Sequence, residues 1–484
     1  MNVHHLATKL ASGAVALALV SAAQAQPAFV PSAEPGEPAS AQPGAAPGGA
    51  AEQNAPSGMW ERDALTGEWG GLRPRLEEHG IKLGLQEQSE VWSNVSGGER
   101  RGVTYDGLTT ASLAIDLEKA IGWTGASIFT NAFQIHGRGP TPNLVDNLQS
   151  VSGIEADRAT RLFDLYFEQS LLSDKLSFRI GQEGADEEFM VSKYGAIFLN
   201  GSFGFPALAA LDLPSGGPNY PFAALFVRAK YQVTDQLTLL TGAYNGDPTG
   251  QGEGTPQQRD PSGTSFRLGD GVFAIAELWY DINKDPEGGG LPGTYKIGGW
   301  YNSRNFRDQL VDTSGRSLAL PDSTGLGQSH WNNYAGYVVA DQMVWRGPGG
   351  SDQGIRVFGR VSVAPSDRNL VNVDAIGGVT QEGLIPGRPD DVFGIGVAYV
   401  HIGDKAQQFG RDLVTYTGFG QPFRNNETVL EATYMLPITP WWTLQADLQY
   451  VANPGAGIPN EFDGFTRYPL KNATVLGLRA TVVF

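Results

Sequence analysis

Residues Lys471–Phe484 read KNATVLGLRATVVF. In an extended chain side chains alternate, so Leu476, Leu478, Ala480, Val482 and Phe484 share one face, and Val475, Gly477, Arg479 and Thr481 share the other. The first face suits an apolar medium, whereas the second sends Arg479 toward water. One such segment also ends many soluble domains, so the fold is decided by how often the pattern returns. Ile81, Leu83 and Leu85 alternate with Lys82, Gly84 and Gln86, and Leu113, Ile115 and Leu117 with Ser112, Ala114 and Asp116. Phe163, Leu165 and Phe167 alternate with Asp164, Tyr166 and Glu168, and Leu176, Phe178 and Ile180 with Ser177, Arg179 and Gly181. Near the end, Leu444, Ala446, Leu448 and Tyr450 alternate with Gln445, Asp447 and Gln449.

Similar segments at 124–136, 222–233, 236–245, 271–281, 294–302, 334–345, 354–363, 392–401 and 428–436 bring the count to about fifteen strands. Closed bacterial barrels use even strand numbers, so one further strand is expected, giving about sixteen. Tight turns such as Ser173-Asp174 and Thr234-Asp235 alternate with long Gly/Pro/Asp-rich insertions at 137–159, 186–220, 246–269, 303–331, 365–390 and 403–424. Short turns at one rim and long loops at the other belong to outer-membrane barrels. A soluble sandwich buries its apolar face, whereas a barrel in lipid turns that face outward. Periodicity is silent on which face is inside. The strand number, the loop asymmetry, an export signal and aromatic residues at strand ends (Trp123, Tyr231, Trp345, Trp441 and Trp442) favour the lipid-facing arrangement. The expected fold is all-β: a transmembrane antiparallel β-barrel with a short N-terminal helical segment.

The export signal is residues 1–25. Lys9 opens it, Leu10–Val20 is a short apolar run, and Ala23-Gln24-Ala25 is a small-x-small cleavage site. The run is too short to cross a bilayer as a helix. Residues 26–57 are rich in Pro, Ala and Gly, with almost nothing to fill a core, and read as a disordered linker. Residues 58–80 (WERDALTGEWGGLRPRLEEHG from Trp60) form the one segment with helical spacing, through Leu65, Leu72 and Leu76, with Gly80 as its stop. The barrel is expected to occupy 81–484. No stretch after Ser57 approaches 18 consecutive apolar residues, which excludes helical membrane spans. Gly, at 64 of 484 residues, is about twice its usual ~7% share. The absence of cysteine rules out thiolate metal sites and cysteine nucleophiles. A net charge of -17 opposes nucleic-acid binding. With two of six histidines inside the export signal, a histidine metal centre is not expected, and no cofactor is implied.

An outward apolar face leaves polar side chains to line a lumen: Glu90, Asp164, Glu168, Arg179, Glu183, Arg228, Lys230, Glu277, Lys296, Arg356, Arg360, Glu431, Asp447, Gln449 and Arg479. Charges of both signs suit a neutral polyol, whose hydroxyls donate and accept. A uniformly basic wall would suit anions instead. Trp92, Tyr166 and Trp300 share the inward parity and offer aromatic faces to a sugar ring. Inward charges in large barrels also pair simply to satisfy one another. The adjacent acids Glu187-Glu188 and Asp390-Asp391 read as solvated loop charge rather than glycosidase pairs. No G-x-S-x-G or H-E-x-x-H motif occurs, and no catalytic residue is assigned.

Leu65-Thr66-Gly67-Glu68-Trp69-Gly70-Gly71-Leu72-Arg73 resembles the N-terminal signature of the OprB-type carbohydrate-selective porins. The likeness continues through Arg179-Ile180-Gly181-Gln182, Glu188-Phe189 and Phe198-Leu199-Asn200-Gly201-Ser202-Phe203-Gly204. It resumes at Gly298-Gly299-Trp300-Tyr301, Phe358-Gly359-Arg360-Val361, Pro365-Ser366-Asp367-Arg368-Asn369 and Gly387-Arg388-Pro389-Asp390-Asp391. It closes with Glu431-Ala432-Thr433-Tyr434, Gln445–Val451 and Gly477-Leu478-Arg479. The resemblance implies a sixteen-stranded outer-membrane barrel of a Gram-negative bacterium, through which glucose and similar sugars diffuse into the periplasm. It also implies in-folded loops that narrow the lumen, with Arg179–Phe189 and Asn200–Phe205 as the candidate blocks. The substrate-binding constriction is therefore expected at Arg179, Glu183, Glu168, Asn200, Trp300 and Arg360. The acidic run Asp186-Glu187-Glu188 and the Pro/Ala-rich leader depart from the family. A non-selective or anion-preferring porin is the alternative reading, and a barrel hydrolase a distant one. Expected partners are small sugars, outer-membrane lipid and the barrel-assembly machinery, the last through the strand ending at Phe484. The resemblance leaves monomer and homotrimer open.

Overall fold

The computed structural model describes residues 58–284, 289–347, 353–418, 424–459 and 468–484, so the segments expected as export signal (1–25) and linker (26–57) lie outside the described residues. Trp69–Gly71 is a single 3-10 turn leading into a helix at Leu72–Glu78. The barrel begins with β1 (Ile81–Gly98), β2 (Gly102–Asp116), β3 (Ala126–Gly137) and β4 (Ala159–Leu171). It continues through β5 (Leu176–Glu183), β6 (Ala224–Gln232), β7 (Leu237–Asn245) and β8 (Val272–Ile282). Next come β9 (Gly293–Asp312), β10 (Gly327–Arg346), β11 (Gly354–Val363) and β12 (Val371–Glu382). The last four are β13 (Val392–Ile402), β14 (Asn426–Thr439), β15 (Trp442–Ala452) and β16 (Lys471–Val483). Each strand pairs antiparallel with its sequence neighbours, and β1 pairs β16, closing a barrel of sixteen strands with no free edge.

The strand missing from the periodicity is β12, inside the insertion expected at 365–390. Its inward Ile376 packs with Phe203 and Phe358 and breaks the polar row of Asp374 and Thr380 on that face, which weakens its alternation. Gly377 and Gly378 weaken the signal further, and a Cβ on Gly378 would sit 2.7 Å from the Phe358 ring. The insertion expected at 303–331 shrinks to 313–326, because β9 and β10 each run for 20 residues. The insertion at 403–424 holds a helix, Asp404–Thr417, that the sequence reading lacked. It has no buried residue, and Asp412 accepts a hydrogen bond from the Ser317 hydroxyl at 2.7 Å.

The two faces of the wall differ as a lipid-facing barrel requires. Leu478 is 50% exposed on the outside, whereas Arg479 is 2% exposed and lies against Glu90 in β1 at 2.5 Å. Trp123, Tyr231 and Trp345 stand exposed at the short-turn rim, the periplasmic side in such barrels. Trp441 at the same rim is buried, because its indole N–H donates to Met59 O at 2.8 Å and its ring packs with Trp60 and Trp442. The N-terminal segment thereby docks on the seam, where Leu65 N–H donates to Val483 O and Arg73 Nη2 to Phe484 O, both at 2.8 Å.

The lumen is not simply water. The loops after β3 and β5 fold inward and carry apolar clusters of their own. Phe189, Met190, Phe205 and Leu208 pack against Phe226, Tyr244, Phe273 and Trp300 on the wall. Phe198, Leu199 and Phe203 pack against Phe358, Val429 and Val475. Over part of its circumference the wall therefore faces lipid outside and a packed core inside.

Candidate channel constriction

Strand register sets the polar cluster. Glu168 in β4 lies opposite Arg179 in β5, and Arg179 lies opposite Arg228 in β6, giving one inward row on three strands. Two neighbouring guanidinium groups repel unless anions bridge them. Glu168 does so, accepting from Arg179 Nε at 2.9 Å and Arg228 Nη2 at 3.3 Å. Glu188, from the loop after β5, accepts from Arg228 Nε at 2.5 Å and lies 3.6 Å from Arg179 Nη1. Glu183 accepts from Arg179 Nη1 at 3.1 Å, and the Tyr166 ring lies 4.5 Å from the same guanidinium. Three carboxylates thus surround two arginines. Glu183 is sealed from solvent, while the Arg179 and Glu168 side chains keep 18% and 17% of their surface.

The acidic run in this loop divides by environment. Glu188 is buried, which disfavours its charge, but Arg179 and Arg228 outweigh that and hold its pKa down at about 2. Its neighbour Glu187 is pushed well upward, by burial first and then by Asp164, Asp186 and Glu183. Asp186 instead accepts a backbone hydrogen bond from Tyr220 at 3.1 Å.

The other three residues expected at the constriction stand apart from this row. Asn200 donates to Gln149 O at 2.8 Å and Gln449 Oε1 at 3.1 Å, while its side-chain oxygen accepts from Ser202 N–H at 3.1 Å. Trp300 is 3% exposed within the packed series Phe226, Tyr244, Phe273 and Trp300. Arg360 is 1% exposed, donating to the carbonyls of Met190, Ser202 and Gly204 and lying 3.8 Å from Asp374. Asn200 and Arg360 hold the inward loop in place, and Trp300 supports it from the wall.

Wall carboxylates do the same work from five positions. Met190 N–H donates to Glu277 in β8. Lys193 and Tyr194 N–H donate to Asp341 in β10, each at 3.1 Å. Ala207 N–H donates to Asp374 in β12 at 2.9 Å. Leu199 and Asn200 N–H donate to Glu431 in β14 at 2.5 and 3.1 Å. The loop after β3 is pinned likewise, with Leu148 and Gln149 N–H on Glu427 at 2.9 and 2.8 Å. Charge-assisted bonds of this kind satisfy loop amides that would otherwise be buried unpaired. Inward parity exposes Glu277 and Glu431 in the sequence as lumen residues, but no spacing tells that their partners are main-chain amides of a loop far upstream.

A model of the OprB family of carbohydrate-selective porins matches residues 100–484 of this chain. The chain belongs to that family. It is 26% identical over 432 residues to Porin B of Pseudomonas aeruginosa, covering 86% of this chain and 90% of that one. It is 22% identical over 422 residues to the putative porin QuiX of Acinetobacter baylyi, covering 82% of this chain and 89% of that one. Among solved structures, OprB of Pseudomonas putida at high pH superposes with a TM-score of 0.78 at 24% identity, covering 88% of this chain and 100% of that one. The porin is thus a sugar-selective channel of the Gram-negative outer membrane and not an enzyme.

Proposed function

We propose that the porin passes glucose and similar monosaccharides, and that Arg179 and Glu168, with the sealed Glu183 holding Arg179 from behind, form the polar part of the constriction they traverse. The observation that carries this reading is the row of Arg179 and Glu168, paired with each other yet each keeping a sixth or more of its side-chain surface open to solvent. A passing sugar loses part of its hydration and finds donors on the guanidinium and acceptors on the carboxylate, with the Tyr166 ring beside them. Because these groups already satisfy one another, sugar contacts replace existing bonds rather than add to them. Affinity is therefore modest and flux saturable, as conduction requires. Asn200, Trp300 and Arg360 contribute by fixing the loop that borders the path. The bridged arginines argue against a uniformly basic wall and thus against anion preference.

Arg179→Ala is expected to weaken sugar block of single-channel current in planar bilayers about five-fold, the scale of one lost hydrogen bond. An unchanged binding constant removes Arg179 from the site. Swelling of porin-loaded liposomes in a panel of mono- and disaccharides ranks the sugars. Phe484 ends the strand offered to the assembly machinery, and its deletion is expected to lower the amount of folded barrel. Crosslinking in native membranes decides between monomer and homotrimer.

A further inference from the structure

We infer that a cavity among the long loops is a second sugar-binding subsite, in series with the constriction and open toward the cell exterior. This rests on the sugar-porin reading and adds a place to it. The cavity measures about 390 Å³ and is built by three separate loops: residues 137–158 after β3, Leu211 after β5 and Gln257 after β7. That volume lies at the small end of the ~300–1,000 Å³ range of small-molecule clefts, a size suited to one pyranose ring.

Its walls are fixed before any ligand arrives. Leu211 sits in the short helix Ala207–Asp212, whose first amide is held by Asp374. Gln257 sits in the turn Pro256–Arg259, which Thr255 closes with a capping box. Glu155 fastens the remaining loop by accepting from Thr141 N–H at 2.9 Å and Ser152 N–H at 3.3 Å.

Onto this frame the cavity presents unused hydrogen-bonding groups of both kinds. Asn147 is 2% exposed; its amide nitrogen donates to Gln149 O at 2.6 Å, which fixes its orientation, and its oxygen Oδ1 has no partner among the described residues. A buried acceptor without a donor is costly, and a ligand hydroxyl relieves it. Asn143 is oriented in the same way by its bond to Gly139 O at 2.8 Å, leaving its oxygen as an acceptor. On the donor side, the exposed Arg138 guanidinium makes no hydrogen bond to the described residues, and Gln257 uses only its oxygen, on Asp157 N–H at 2.7 Å. Leu211 supplies an apolar surface for the C–H face of a ring. Acceptors, donors and an apolar floor within one small cleft, whose charged lining (Arg138 and Arg158, Glu155 and Asp157) carries both signs in equal number, describe a neutral polyhydroxy ring rather than an ion.

Glucose added to one side of a bilayer holding oriented porin tests the assignment. With glucose on the long-loop side, the Asn147→Leu, Arg138→Gln double variant is expected to raise the half-blocking concentration about ten-fold, and Arg138→Gln alone, at an exposed position that leaves folding intact, about three-fold. With glucose on the opposite side the change is expected to stay within about two-fold. Unchanged block from the loop side in both variants, while wild type is blocked normally, overturns the subsite and leaves the porin reading intact. Glucuronate blocking more tightly than glucose from the loop side overturns the neutral-sugar assignment. Wild type that shows neither block nor glucose flux overturns the sugar reading itself, and the subsite with it.

Discussion

Glu155 illustrates how a single side chain in this porin carries structural and electrostatic load together. Burial, with the nearby charge of Glu90 adding to it, raises its pKa to about 7, although hydrogen bonds from Thr141 and Ser152 pull it back. A native pKa above the ordinary 4.5 means that the folded state takes up the extra proton. The stability from this group is therefore complete below about pH 4.5 and is lost as pH rises through about 7. Thermal melts in detergent should show a decline across that window, and Glu155→Gln should flatten it. The sequence reading reached such residues unevenly. Parity alone placed Arg179, Glu168 and Glu183 on the lumen side, and strand register then brought them together. It could not reach Glu155 or Asn147, because loop residues carry no period from which a direction can be read.

At the scale of elements, the inward loop is a strap fixed at both flanks and along its length. Leu199 and Asn200 hang from Glu431 alone at the β14 wall. Glu431→Ala leaves two buried amides unpaired and is expected to cost about 3 kcal/mol at that attachment. Single-channel recordings should then show a larger, noisier conductance with weaker sugar block, while the barrel itself still folds. The same strap explains why β12 escaped notice. Alternation identifies strands that separate lipid from water, and it succeeded for β4, β5, β15 and β16. In β12, where the strap lies against the wall, Ile376 faces a packed interior and Gly377-Gly378 follow it, so the polarity contrast that marks a strand is lost. Strand count remained legible only because bacterial single-chain barrels close with even strand numbers.

The whole molecule is a cylinder whose seam is covered by its own N-terminal segment. Arg73 and Leu65 both reach the last strand, and Met59 reaches Trp441 beside it. Arg73→Ala removes one partly exposed hydrogen bond, with an expected loss of about 1 kcal/mol. The temperature at which the folded, fast-migrating band converts to the unfolded one on a gel should fall slightly, and unchanged sugar block would confine the effect to the seam. The loop attachments carry a different consequence, one of timing. Gln149 meets Glu427 across 278 residues, and Asn200 meets Gln449 across 249. Contacts so distant along the chain form late, because loop closure must come first. The segments at Leu148–Gln149 and Leu199–Asn200 therefore wait for the last three strands, although Met190, Lys193 and Ala207 find partners earlier, on β8, β10 and β12. A chain halted before β14 would hold the Arg179–Glu168 row but leave both inward loops hanging at their β14 and β15 attachments, so the constriction takes its final shape only in the step that closes the barrel.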